Sequence, residues 1–177
     1  MAKIFQFTGL SGAGKTTLAN TLEAELTTDG FRVAVIDGDV YREKLCKDLG
    51  FSREDRIENI KRLGAVAGEM SDHYDVIIIS AINPYQESRT LLKNKYQALL
   101  VHVDCDLYTL RLRDTKGLYK RAFLPDQHED KIYNLTGIND IFDYPVSVDF
   151  RLNTANIDIS VSVDILKKYI LSALLKK

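Results

Sequence analysis

The string Gly9-Leu10-Ser11-Gly12-Ala13-Gly14-Lys15-Thr16 follows directly on an apolar run, Lys3 to Thr8, and opens into apolar residues spaced as on one helix face, Leu18, Leu22 and Leu26. It matches GxxxxGK[ST] in full, and the strand-to-helix context separates a working phosphate loop from a merely Gly-rich turn. Glycines let the backbone wrap closely around a phosphate, and N–H groups at the helix start donate to it. Lys15 puts a positive charge where charge moves between the β- and γ-phosphates, and the Thr16 hydroxyl is a hard oxygen ligand for Mg²⁺. ATP with Mg²⁺ is the expected ligand, held by Gly9, Ser11, Gly12, Ala13, Gly14, Lys15, Thr16 and Thr17, with Thr16 as the metal residue.

The rest of the chain alternates apolar runs with helical spacing. The first helix runs from Lys15 to Asp29 and stops at Gly30. Further strands are read at Arg32 to Asp37, Asp75 to Ser80, Ala98 to Asp104 and Phe150 to Asn153. Ser52, with Asp55 three residues on, forms a capping box that starts a long helix carrying Arg56 and Asn59. The last helix, from about Ser160, places Val163, Leu166, Ile170 and Leu174 on one face. Strands separated by helices imply βαβ units. The predicted fold is α/β, a three-layer domain of the P-loop nucleoside triphosphate hydrolase type, with a five-stranded, mostly parallel sheet and helices on both faces. The 177 residues fit a single domain over 1–177, long enough to bury a core without disulfides. Between Asp106 and about Tyr133 the composition turns basic and polar, which predicts a mobile lid at about 111–133.

Charge narrows the class of partner. With Lys+Arg at 24 and Asp+Glu at 25, no global field favours nucleic acid or an anionic membrane, so a small-molecule nucleotide is the expected partner. Cys46 and Cys105 show no metal spacing and read as reduced thiols. The start Met1-Ala2-Lys3-Ile4-Phe5 reads as a strand rather than a signal peptide, and no apolar run approaches the ~18 residues of a membrane span. A cytoplasmic location is expected. The three histidines, His73, His102 and His128, make no ligand pattern. A guanine reader is missing, since Asn94-Lys95-Tyr96-Gln97 fails NKxD at its fourth position. Asp114-Thr115-Lys116-Gly117 spells DxxG but follows Arg111-Leu112-Arg113 rather than a buried strand. A small-molecule kinase fits better than a switch or a motor.

Asp37-Gly38-Asp39 ends the second strand, at the carboxyl edge where open α/β sheets bind ligands. Two acids there can orient metal-bound water and accept a hydroxyl proton; an acid pair capping a helix is the structural alternative. Arg42, Arg56 and Asn59 follow within reach of the same edge, and with Phe51 they can hold an anionic nucleotide by charge and ring stacking.

Taken together, Gly9–Thr16, Asp37-Gly38-Asp39 with Arg42, the string from Phe51 to Ile60 (FSREDRIENI), Asn83-Pro84-Tyr85 with Arg89, Arg113 to Tyr119 (RDTKGLY) and Leu135-Thr136-Gly137-Ile138 resemble the motifs of the adenylyl-sulfate kinases. They run in the family's order over nearly the whole chain. The resemblance implies phosphorylation of the ribose 3′-hydroxyl of adenosine 5′-phosphosulfate by MgATP. It implies Lys15, Asp37, Asp39 and Lys116 as catalytic residues, Asp39 being nearest the acceptor hydroxyl and Asp37 beside the metal. Arg113 would join the ATP site. Arg42, Phe51, Arg56, Asn59, Ile82, Asn83, Lys116, Gly117, Leu118 and Leu135 would line the acceptor site, and the assembly would be a homodimer.

The sequence departs from the family pattern at Leu135, where an aromatic residue is usual on the second face of the acceptor base. It departs again at Asn83, where Ser is common, and in Ala122 to Gln127. Aliphatic contact in place of stacking weakens base binding by on the order of 1 kcal/mol. A kinase of another nucleotide 3′-hydroxyl, such as cytidine diphosphoramidate, is the nearest alternative. An idle nucleotide-binding module is a further one, opposed by the intact Lys15, Thr16, Asp37, Asp39 and Lys116.

Overall fold

The computed structural model describes residues 1–176. Five strands form one sheet: β1 (Lys3–Thr8), β2 (Val33–Asp37), β3 (Val76–Ser80), β4 (Leu99–Asp104) and β5 (Phe150–Asn153). They lie in the order β2-β3-β1-β4-β5, and each neighbouring pair is parallel. β1 therefore occupies the centre, where both edges of its backbone find partners. The apolar, β-branched run at β3 suits an interior parallel strand, and β3 is paired on both edges, with β2 and β1, and buried along its whole length.

Alternation along the strands divides the core in two. Phe5, Phe7, Ile78, Val101 and Val103 pack with Leu18, Leu22 and Leu26 of α1 (Lys15–Thr28) and with Leu166 and Ile170 of the C-terminal helix on one face. Ile4, Ile36, Ile77 and Ile79 pack on the other with Ile60, Leu63 and Ala67 of α3 (Arg53–Met70) and Leu92 of α4 (Gln86–Tyr96). The α3–α4 approach depends on Gly64, where a Cβ would stand 2.3 Å from Leu92 Cδ2. The C-terminal helix, α7, covers Ile159–Leu175. No described helix is long and apolar enough to cross a membrane.

Three helices were not legible as such. α2 (Gly38–Leu45) begins on the acid pair itself, because Asp37 accepts from the N–H groups of Asp39 and Val40. α5 (Leu107–Arg113) and α6 (Leu118–Ala122) lie in the stretch that reads as basic, polar and mobile. Asp106 caps α5 by accepting from Thr109 N, and the Asp114 carboxylate accepts from Tyr119 N and Lys120 N at the start of α6. α6 is also fixed to the phosphate loop: Tyr119 is 2% exposed, and its hydroxyl donates to the Ser11 carbonyl at 2.8 Å. Burial and the nearby Asp114 push the Tyr119 phenol up to about 12, so it stays a donor.

Candidate active site

Parallel pairing brings the carboxyl ends of the strands to one rim: Asp37 is level with Ser80, and Phe7 with Ser80 on the other side. Above that rim lies a cavity of about 810 Å³, joined by a smaller one of about 90 Å³. The phosphate loop forms the floor. Gly9 has a φ of +153°, and a Cβ there would fall 2.2 Å from the Val103 carbonyl oxygen, so the loop cannot follow this path with any other residue. Gly14, at φ +97°, ends the loop at the N-cap of α1 with no side chain capping the helix. The N–H groups of the first turn lack helical acceptors, which leaves them free to donate to an anion.

Lys15 is 8% exposed, and its ammonium donates to the Gly9 and Leu10 carbonyls, both at 2.8 Å. Burial lowers its pKa from 10.5 to about 8, opposed by the field of Asp39. It is a cation held in a poor solvent, next to where phosphate oxygens would lie.

Asp37 serves both of the readings its sequence allowed. Oδ1 caps α2, while Oδ2 accepts from the Thr16 hydroxyl at 2.7 Å. These oxygens suit a magnesium ion that keeps most of its ligands as water and phosphate. No group of three or more His, Cys, Asp or Glu residues capable of holding a metal occurs among the described residues, so a closed protein cage is not what this site offers. Ser80 Oγ, buried at the same rim, has no hydrogen-bond partner among the described residues.

Across the cavity Lys116 donates to Asp39 Oδ2 at 2.6 Å, both side chains being largely exposed. Phe51 also stands in the wall, its ring approached by the guanidinium of Arg42 at 4.3 Å and that of Arg56 at 5.5 Å. Arg42 also donates to the Gly50 carbonyl. Its pKa is lowered by burial and by the neighbouring Arg56. The Asn59 side-chain oxygen is buried beside the smaller cavity with no hydrogen-bond partner among the described residues.

Most of the expected site residues meet here. Ser11 to Thr17, Asp37, Asp39, Ile82, Arg113, Lys116, Leu118 and Leu135 line the larger cavity, while Arg42, Asn59 and Asn83 line only the smaller one. Phe51 and Arg56 line both, as do Asp39 and Ile82. Gly9 and Gly117 line neither; Gly9 shapes the loop from beneath, and Gly117, at φ +64°, is the N-cap of α6. The Asn83 side chain is tied into the scaffold, donating to Gln6 Oε1 and accepting from the Ser88 hydroxyl, while its carbonyl accepts from Thr8 and Arg89. Arg113 lines the cavity but donates to the Thr154 carbonyl at 2.6 Å, and the Thr154 hydroxyl donates to Ala13 O at 3.0 Å. Thr154 and the wall from Ile157 to Ile159 had no motif to reveal them; only their place after the last strand, at the same rim, could have done so.

A family model described as adenylylsulphate kinase matches residues 1–153. The chain belongs to the adenylyl-sulfate kinase family. An adenylyl-sulfate kinase of Chloroflexus aurantiacus is 46% identical over 149 residues, 84% of this chain and 77% of the relative. One from Shewanella oneidensis is 41% identical over 167 residues, 93% of this chain and 79% of the relative. Among solved structures, the Mycobacterium tuberculosis APS kinase CysC in complex with AMPPNP and APS superposes with a TM-score of 0.85 at 34% identity, over 99% of this chain and 98% of that one. The adenylyl-sulfate kinase resemblance drawn from the motifs thus holds for both sequence and fold, and the chain is a phosphotransferase with an alcohol group as acceptor.

Proposed function

We propose that this chain transfers the γ-phosphoryl group of MgATP to the ribose 3′-hydroxyl of adenosine 5′-phosphosulfate, giving 3′-phosphoadenosine 5′-phosphosulfate. The observation that carries this reading is continuity. A phosphate loop with a buried lysine opens into the same cavity as Asp39, Lys116, Phe51 and Arg56, so a donor phosphate and an acceptor hydroxyl can meet without bulk water between them.

In this reading the loop amides and Lys15 hold the β- and γ-phosphates, and the lysine exchanges its two carbonyl partners for phosphate oxygens. Magnesium, when bound beside Thr16 and Asp37, neutralises charge on the phosphates. Asp39 accepts the hydroxyl proton, and Lys116, already at its carboxylate, follows the charge onto the transferred group. Phe51 stacks on the acceptor base; Arg42, Arg56 and Asn59 hold its anionic tail. Catalysis rests on positioning and charge neutralisation in a loose transition state. A lid at about 111–133 closes Lys116 and Arg113 over the nucleotides.

Leu135 supports a second acceptor, a cytidine nucleotide. It is 5% exposed and stands at the cavity wall where the family pattern has an aromatic ring. Initial rates with adenylyl sulfate and with a cytidine diphosphate derivative decide between them. Turnover dependent on adenylyl sulfate is the expected result, faster turnover of the cytidine compound selects the alternative, and no acceptor-dependent turnover with ATP bound defeats both. A homodimer is proposed on the family resemblance, checked by sedimentation, and a cytoplasmic setting accords with two buried, unpaired thiols, Cys46 and Cys105.

A further inference from the structure

Arg56 is 8% exposed, and its guanidinium is held at two corners. Nε donates to the Phe51 carbonyl at 3.1 Å, and Nη2 donates to the Asn134 carbonyl at 2.7 Å while pairing with Asp140 Oδ2 at 2.9 Å. Nη1 makes no hydrogen bond among the described residues, although Arg56 lines both cavities. A planar fork fixed at two corners has its third corner aimed as well.

The Asp140 carboxylate is divided between two tasks. Oδ1 accepts from Ile141 N at 2.8 Å inside its own turn, leaving Oδ2 for Arg56. The same turn is closed by Gly137 N donating to Asp140 O at 2.8 Å and by Asp140 N donating to Leu135 O at 3.2 Å. Asp140 lines neither cavity. The ion pair, together with the donation to the Asn134 carbonyl, thus joins the turn that carries Leu135 to the arginine on the facing wall. We infer that Asp140 is a positioning residue for acceptor binding: it aims Nη1 of Arg56 into the acceptor pocket and sets the distance between that arginine and the Leu135 wall. The inference rests on the acceptor reading of this pocket given above.

Because the two oxygens have different partners, an isosteric change separates them. Asp140→Asn can keep the oxygen facing Ile141 N while presenting an NH₂ group to Arg56, and Asp140→Ala removes both contacts. Initial-rate kinetics with adenylyl sulfate and ATP would be measured for wild type, both variants, Arg56→Ala and the Arg56→Ala, Asp140→Asn double variant. Asp140→Asn is expected to raise the acceptor KM about tenfold, the loss of a charge-assisted contact, with kcat and the ATP KM near wild type. In the Arg56→Ala background it is expected to add nothing. An acceptor KM equal to wild type, a further rise in the Arg56→Ala background, or a joint loss in kcat and both KM values overturns the assignment. The unchanged ATP KM also reports that the variant is folded. Wild type without turnover of adenylyl sulfate would overturn the acceptor reading itself, and this inference with it, which a normal wild type and an unaffected variant would not.

Discussion

Replacing Lys15 by Met should make the nucleotide-free protein more stable while removing its activity. The drop in the Lys15 pKa from 10.5 to about 8 corresponds to roughly 3 kcal/mol of free energy for keeping an ammonium in this buried place at neutral pH. Methionine fills a similar volume without charge. The change also deprives the Gly9 and Leu10 carbonyls of their donor, which costs about 1–2 kcal/mol. The net gain is about 1–2 kcal/mol, and for a domain of this size Tm should rise by about 3–6 °C at pH 7. The sign with pH follows from linkage. Because the folded pKa lies below the unfolded one, the unfolded chain holds more protons between about 8 and 10.5, so wild type gains stability as pH rises through that window. Lys15→Met lacks this gain, and the gap between the two melting curves should close at high pH. Thermal melts at neutral and alkaline pH, without nucleotide, measure it. A variant that melts below wild type at pH 7, or a gap independent of pH, would refute the claim that Lys15 is held as a destabilised cation.

The same burial makes nucleotide binding a proton-uptake reaction near pH 8, since phosphates favour the charged ammonium; calorimetry of ADP binding in buffers of different ionisation enthalpy should show uptake, and its absence would separate Lys15 from the phosphates. Lys116→Ala should change stability by less than ~1 kcal/mol, because its pair with Asp39 is solvent-exposed, yet lower turnover by ~10²-fold; melts and initial rates that fall together would contradict this. Leu135→Phe should lower the acceptor KM about fivefold if a base stacks there, at some cost in Tm from overpacking a residue that is 5% exposed; an unchanged KM would remove Leu135 from the base site.

The sequence was most informative where one residue has one task. Continuous apolar runs placed every strand to within a residue or two, and Ser52 with Asp55 forms the expected capping box, because local chemistry alone decides those features. It was less informative where a side chain reaches across the fold. Nothing near Asp140 in sequence points to Arg56, which lies in another element and meets it only after the sheet has assembled. Asn83 carries the family's motif position, yet its side chain turns inward to Gln6 and Ser88, a direction that only the packing around β1 determines. The stretch 106–133 reads only as basic, polar and mobile because α5 and α6 are too short for a helical period to show; caps at Asp106 and Asp114 hold them instead.

The hydrogen bond from Tyr119 to Ser11 limits how the enzyme can breathe. Lifting α6 from the floor of the nucleotide site must first break that bond, worth about 1 kcal/mol net, so the tether sets where the basic stretch rests and every opening of it is felt at the phosphate cradle.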